Sequence, residues 1–452
     1  MQITETPIRG QWSSRLGFVL ATTGAAVGVG NIWKFPYMVG ENGGSAFVIV
    51  YILAVFLVGI PIMLAEIMIG RRGRHNPVDT LKILAGEANA SPKWQSLGWL
   101  CVVILLLVLS FYSVVAGWSI AYCWDSLTGQ LNNLNATQVE QHWQNFLASP
   151  LKLTLWHTVF IIITLWVVER GVHRGLEQAS RIMMPCLFLI LIILDIYGFF
   201  NEGFKEACQF LFTPDFSKIT PSVAISALGH AFFTLAVGAG CMLVYGSYLP
   251  RKTAFYMPVM TIVLLDVLVA ILAGLAIFPI VFTHHLTVTS GPGLIFEALP
   301  IAFAKIAGGQ IIGTLFYLLF LFAAWTSSLS MAEPVVVLIA ERYNGSRVKA
   351  SFIVGGIAWV LGIGSVLSFN YWADYRIFGR WNFFGAITDL ATNILQPIGG
   401  IGFAIFAGWI MHKLVTKEEL MLPKSAYAIW RFLIRYMAPL GIMAIFVASV
   451  WS

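Results

Sequence analysis

The sequence predicts an all-α polytopic membrane protein with about eleven transmembrane helices, and three observations carry that expectation. First, 58% of its 452 residues are hydrophobic, only 11% are charged and the mean hydropathy is +0.82. A soluble domain carries roughly 25% charged residues. Second, apolar runs of about 20 residues, each enough to cross a bilayer core, recur along the whole chain. Third, two runs are interrupted at their middles by glycine. One reads Gly24-Ala-Ala-Val-Gly28-Val-Gly30-Asn31 and the other Phe232-Phe-Thr-Leu-Ala-Val-Gly238-Ala-Gly240.

The first span, 14–38, follows Arg9 and Arg15 but lacks a small-residue cleavage site, so it is read as retained rather than as a signal peptide. The second, 43–70, ends at Arg71, Arg72 and Arg74; the third is 96–124. The fourth, 153–169, is followed by Arg170, Arg174 and Arg181, and the fifth is 177–200. The sixth, 220–249, holds the second glycine break and precedes Arg251 and Lys252. The seventh is 256–282. The eighth, 308–341, precedes Arg342, Arg347 and Lys349, and 350–369, 383–412 and 428–450 complete the set. Basic residues therefore cluster after the even-numbered spans, which places the N-terminus in the cytoplasm and the chain in the cell (inner or plasma) membrane. This asymmetry accounts for the net charge of +6 and leaves no case for a nucleic acid partner.

The chain is expected to form one transmembrane domain, 1–452. If spans one and six open equivalent units of five spans, the odd number turns the second unit over. The result is a five-plus-five inverted repeat, about 12–200 and 218–413, with discontinuous helices 1 and 6 and an extra helix at 428–450. Glycine weakens a helix locally, and an unwound stretch in a bilayer frees backbone groups that need partners. Paired breaks at corresponding positions point to a transporter's binding site near the midplane. The loop 284–306, with helical pieces punctuated by Gly and Pro, is read as a cap over an outer vestibule. The five cysteines show no metal or disulfide spacing, and Asn135-Ala-Thr137 matches a glycosylation sequon that is common by chance.

Sodium, a small hard cation, prefers several oxygens. The first break supplies carbonyls and the Asn31 side chain, the second offers Thr234, and span eight carries Thr326-Ser327-Ser328 in an apolar run. Ser and Thr also bond carbonyls of their own helix, so span eight alone would say little. Asp266 lies among apolar residues on every side, and an intramembrane carboxylate is functional by default. No nucleophile–base pair accompanies these groups, which speaks against an enzyme. Gly28-Val-Gly30 is followed by Trp33, not by the third glycine of a dinucleotide fingerprint.

Trp12-Ser-Ser-Arg15-Leu-Gly17, Gly24-Ala-Ala-Val-Gly28-Val-Gly30-Asn31-Ile-Trp33-Lys34-Phe35-Pro36 and Glu41-Asn-Gly-Gly44-Ser-Ala-Phe47 resemble the first two helices of the neurotransmitter:sodium symporters. Phe232-Phe-Thr-Leu235 with Gly238-Ala-Gly240, Tyr245-Gly-Ser-Tyr248 and Thr326-Ser-Ser328 are similar to its sixth and eighth helices. The resemblance covers essentially the whole chain and is closest to the eleven-helix bacterial transporters of leucine and other hydrophobic amino acids. It implies sodium-coupled symport of a neutral amino acid, with two sodium ions and no organic cofactor; a substrate sensor or an ion channel on the same fold is the alternative.

The resemblance also implies site residues. One sodium would be held by Ala26, Asn31, Thr234 and Asp266, the other by Gly24, Val27, Ala323, Thr326 and Ser327. Substrate would be met by Ala25, Ala26, Val29, Gly30, Val108, Tyr112, Phe233, Thr234, Ala236, Ala239, Ser327 and Met331. Lys34 with Asp389 would form an outer gate, and Arg9 with Glu341 an inner one supported by Trp12 and Tyr248. Gly175 and Pro185 match the family's spacing for local unwinding of helix five. The positions that hold chloride in chloride-dependent relatives are Tyr51, His230, Thr234, Asp266 and Ala270 here. A carboxylate at Asp266 would replace the anion's charge, so transport is expected to be chloride-independent. His230, one turn before Thr234, is read first as a structural hydrogen-bonding histidine, with a bond to Asp266 that tunes its protonation as the alternative. The small Ala25, Ala236 and Ala239 point to a large apolar or aromatic side chain.

Overall fold

The structure, a computed structural model, describes residues 10–251, 253–286, 293–306, 308–343, 345–377 and 379–451, without the side chains of 449–451. Among them nine helices are long and apolar enough to cross a bilayer: Ser45–Gly73, Pro92–Leu127, Pro150–Val168, Val172–Phe199, Tyr256–Thr283, Gly309–Arg342, Arg347–Leu367, Phe383–Ile410 and Lys424–Ala448. Arg15–Ala26 and Gly30–Glu41, bent by 49°, make a tenth. The expected sixth span consists of two short helices, Pro221–Thr234 and Cys241–Ser247, neither long enough to cross alone. We number these elements as spans one to eleven in chain order.

Span three is the most enclosed, with 78% of its apolar window buried, whereas span eleven has 22% buried and lies at the rim. Spans three and eight make the most extensive helix–helix contact and form a wall facing the two broken spans. The two breaks are built differently. In span six, Ala236, Gly238 and Gly240 have φ of +49°, +85° and +83°, a left-handed run that glycine takes without penalty. In span one the helix simply stops: Val27 is extended at φ −69°, ψ 103°, and no glycine of the break has positive φ. There glycine supplies room. A Cβ on Gly24 would lie 2.9 Å from Thr326 Cβ, and one on Gly28 would overlap Ser327 Oγ. The sequence argument from glycine's flexibility therefore holds for span six, and close approach is the reason in span one.

Shorter helices decorate the spans. Ala136–Leu147 opens with a reciprocal cap in which Asn135 accepts from the Gln138 amide at 2.9 Å, so the sequon asparagine is used as a helix cap. The segment expected as an outer cap is helical over Leu294–Lys305, and Phe296 stacks on Trp143 of Ala136–Leu147 with centroids 5.0 Å apart. Residues 287–292 of that loop lie outside the described residues.

Span two meets the second half of span six backbone to backbone, since a Cβ on Gly70 would overlap the Leu243 carbonyl. We expect Gly70→Ala to lower stability by about 1–3 kcal/mol through overpacking. Gly356→Ala, with nothing within 4 Å, should be near neutral. Unfolding midpoints of the two purified variants make the comparison.

Candidate functional site

The break in span one redirects its amides. Gly28 N–H donates to Asn31 Oδ1 at 3.1 Å rather than to Gly24, Val29 N–H donates to the Tyr112 hydroxyl at 3.3 Å, and Asn31 N–H donates to the Gly28 carbonyl at 3.1 Å. The carbonyls of Gly24 and Val27 then take the Ser327 hydroxyl from span eight, at 3.2 and 3.3 Å. Beside it, Thr326 Oγ1 donates within its own helix, to Phe322 at 3.0 Å and Ala323 at 3.1 Å. The structure thus gathers Gly24, Val27, Ala323, Thr326 and Ser327 where spans one and eight touch. One Ser327 proton faces two carbonyls, so oxygen lone pairs exceed protons there.

The imbalance is greater a few ångströms on, where spans one, two, six and seven converge. Asn31 Nδ2 donates to Asp266 Oδ1 at 2.8 Å and to the Asp266 carbonyl at 3.1 Å, and Tyr51 OH donates to Oδ2 at 3.2 Å. Thr234 Oγ1 lies 3.1 Å from Asn31 Oδ1, 3.2 Å from Asp266 Oδ1 and 3.4 Å from Oδ2. A threonine hydroxyl has one proton, so it cannot satisfy three acceptors. Asn31, Tyr51 and Asp266 are fully buried and Thr234 is 2% exposed. A buried cluster of oxygens short of protons, one of them on a carboxylate, suits a hard cation. Ala26 is the last helical residue before the break and Ala270 is buried one turn beyond Asp266.

Between the breaks and the wall lies a cavity of about 40 Å³. Its lining includes Ala25, Ala26, Val29, Gly30, Val108, Tyr112, Phe233, Thr234, Ala236, Ala239, Ser327 and Met331, the full set expected to meet substrate. It also includes Gly28, Leu105, Cys241 and Gln396, which the sequence reading missed. Gln396 reaches in from span ten and donates to the Val237 carbonyl at 2.9 Å; nothing in the sequence marked a glutamine at the head of an apolar run as part of this site. Glu66 was missed too, although the argument made for Asp266 applies to it. It is fully buried, and its Oε1 accepts the Gly238 amide at 2.5 Å, tying down the break in span six.

The flanking residues depart from expectation in three places. Lys34 and Asp389 do not form an ion pair: the Lys34 ammonium lies over the Phe233 ring, 4.4 Å from its centroid, and Asp389 accepts from Asn393 Nδ2 at 2.8 Å. The Phe233 face offers the ammonium a partner inside the protein. His230 does not bond Asp266: both its ring nitrogens are without partners among the described residues, and Asp266 is served by Asn31, Tyr51 and Thr234. The imidazole packs instead in an aromatic box, 5.2–6.0 Å from Tyr51, Phe35 and Phe47. Val172–Phe199 is wound throughout, its first turn a wide helix containing Gly175, with Pro185 inside the regular part.

At the opposite end Arg9 lies outside the described residues. Glu341 accepts from Asn76 Nδ2 at 2.6 Å. Trp12 Nε1 donates to the Tyr245 carbonyl at 2.9 Å and its ring meets Tyr248 edge-on at 6.0 Å. Tyr248 OH donates to Glu333 Oε1 at 2.6 Å, and Glu333 Oε2 takes Arg347 Nη2 at 2.5 Å. Glu333, a fully buried carboxylate in span eight, is another residue that the Asp266 argument would have found.

Comparisons with known proteins place the chain in a family. The profile of the Sodium:neurotransmitter symporter family matches residues 9–148 and 141–452. An uncharacterised sodium-dependent transporter of Bacillus subtilis is 37% identical over 96% of both chains, and one of Haemophilus influenzae is 33% identical over 99% of this chain and all of its own. The sodium-dependent nutrient amino acid transporter 1 of Drosophila erecta is 25% identical, with 98% of this chain and 78% of its own covered. The crystal structure of MhsT in complex with L-phenylalanine superposes with a TM-score of 0.90 at 39% identity, covering 98% of this chain and 100% of that one. The chain belongs to the sodium:neurotransmitter symporter family and is a sodium-dependent membrane transporter rather than an enzyme.

Proposed function

We propose that this transporter imports a neutral amino acid together with two sodium ions by alternating access, and that it needs no chloride. The carrying observation is the proton-poor oxygen cluster of Asn31, Thr234 and Asp266 beside the cavity. One sodium takes this cluster with the Ala26 carbonyl and the substrate carboxylate. At about 4 Å and an effective dielectric near 20, the Asp266 carboxylate attracts it by roughly 4 kcal/mol. The other takes the Gly24, Val27 and Ala323 carbonyls with Thr326 and Ser327. The substrate carboxylate meets Tyr112 and the Val29 and Gly30 amides, at a helix start that favours negative charge. Its amine faces carbonyls near Ala26, Phe233, Thr234 and Ala236.

Residues 12–200 and 218–413 act as inverted repeats in this reading, with the N-terminus in the cytoplasm. Lys34 and Phe233 close the outer side; the Trp12, Tyr248 and Glu341 region closes the inner side. Two sodium ions crossing about 100 mV and a tenfold gradient supply roughly 7 kcal/mol, enough for accumulation of order 10⁵-fold under tight coupling. A large apolar or aromatic side chain is supported by the alanine-lined walls and by the L-phenylalanine bound to MhsT. Since the cavity is only about 40 Å³, Met331 and Phe233 must swing aside to admit it.

Purified protein in liposomes should take up labelled phenylalanine, leucine or tryptophan only when sodium is outside. Equal uptake with choline in its place would refute sodium coupling, and preference for glycine over these substrates would refute the side-chain assignment. Ser327→Ala should raise the sodium concentration for half-maximal uptake about tenfold or more, as loss of a hydroxyl ligand to a charge implies. Wild-type uptake should be unchanged when gluconate replaces chloride. Asp266→Asn, with its fixed charge removed, should lose most uptake in gluconate and recover part of it in chloride.

A further inference from the structure

Away from the substrate cavity, a second cavity of about 290 Å³ opens on the face proposed as cytoplasmic. It is lined by the span four–five connection (Arg170, His173, Arg174), by Tyr248 and Glu341, and by Arg347 at the start of span nine. Its charge is unbalanced among the described residues. Among the described residues, neither Arg170 nor Arg174 has a carboxylate within 4.0 Å. Arg347 gives Nη2 to Glu333 at 2.5 Å and to the Val168 carbonyl at 2.8 Å, but its Nε is buried without a partner. Glu341, the acid facing this space, already accepts from Asn76. Two arginines with no carboxylate partner among the described residues, beside the Arg347 guanidinium, favour an oxyanion in this cavity.

The surroundings indicate where that oxyanion comes from. The Arg170 guanidinium lies over Trp166, 3.6 Å from the ring centroid, and Trp166 is 51% exposed at the end of span four. Tryptophan at that level marks a membrane interface. Spans four and nine pack against each other, with Gly355 against Leu165, and Ile162 of span four and Phe352 of span nine are exposed apolar residues. An acyl chain fits along these two spans while a headgroup reaches the arginines.

We propose that this cavity binds the phosphate of an anionic phospholipid, held by Arg170 and Arg174 beside the Arg347 guanidinium, with the acyl chains on the flank of spans four and nine. Arg347 keeps its bond to Glu333 meanwhile, so the lipid braces the Tyr248–Glu333–Arg347 link from outside. Another Arg–Trp pair on the same face supplies a control: Arg342 lies 4.7 Å over Trp99 and is not among the residues lining this cavity.

Short-chain phosphatidylglycerol, titrated into the detergent-purified full chain, should raise its unfolding midpoint. The Arg170→Gln/Arg174→Gln double variant should need about thirtyfold more lipid for the same shift, roughly fivefold for each charge. Arg174→Gln alone, at an exposed position, should need about fivefold more. Arg342→Gln/Lys349→Gln removes the same charge and should respond like the wild type. In liposomes, sodium-driven uptake should rise with phosphatidylglycerol in the wild type and not in the Arg170/Arg174 variant, while both behave alike in pure phosphatidylcholine. Equal losses in the two double variants would reduce the effect to general surface charge and overturn the site. Stabilisation by inorganic phosphate at the concentrations effective for the lipid would overturn the lipid assignment.

Discussion

Unpaired backbone groups in a bilayer interior cost several kcal/mol each, since no water is there to serve them. This chain leaves such groups at the middles of two helices, and much of its architecture answers that constraint. At the first break the amides go to the Asn31 side chain and the Tyr112 hydroxyl, and the freed carbonyls go to Ser327. At the second, the Glu66 carboxylate takes the Gly238 amide and Gln396 serves the Val237 carbonyl. All of these partners except Asn31 arrive from other spans, so the breaks stand only when the rest of the bundle is assembled around them.

Partial satisfaction is what makes the site useful. The protein supplies enough donors to hold the breaks in shape but too few for the oxygens of Asn31, Thr234 and Asp266. A fully paired network would have no use for an ion, and a wholly unpaired one would not keep its geometry. Sodium completes the balance in the proposed cycle. Folding, cation affinity and substrate binding then draw on the same few backbone groups.

The ends of the molecule follow different electrostatics. At one end Lys34 rests on an aromatic face, and Asp389 is engaged by its own helix through Asn393. At the other, Tyr248, Glu333 and Arg347 form a short chain of charge-assisted bonds, with Trp12 packed beside it. In this structure the second set is joined and the Lys34–Asp389 pair is apart.

Much of this was legible in the chain itself, because a bilayer reduces the problem to length and polarity. A helix must bond itself internally and span a fixed thickness, so the observed span ends fall within a few residues of the expected ones. Asp266, Asn31 and Thr234 stood out because polar groups are costly where they lie. Glu66 and Glu333 carried the same signal and were overlooked for want of applying it evenly. What the tertiary structure alone decided were pairings across helices. His230 turned to an aromatic box and not to Asp266, Lys34 to Phe233 and not to Asp389, and Gln396 entered the substrate cavity from span ten. The glycines of span one proved to be there for contact with Thr326 and Ser327 rather than for left-handed backbone. Composition and period fix which segments cross the membrane, but partner choice depends on the rotation and depth of each helix against its neighbours, which short-range packing sets only after the bundle has closed.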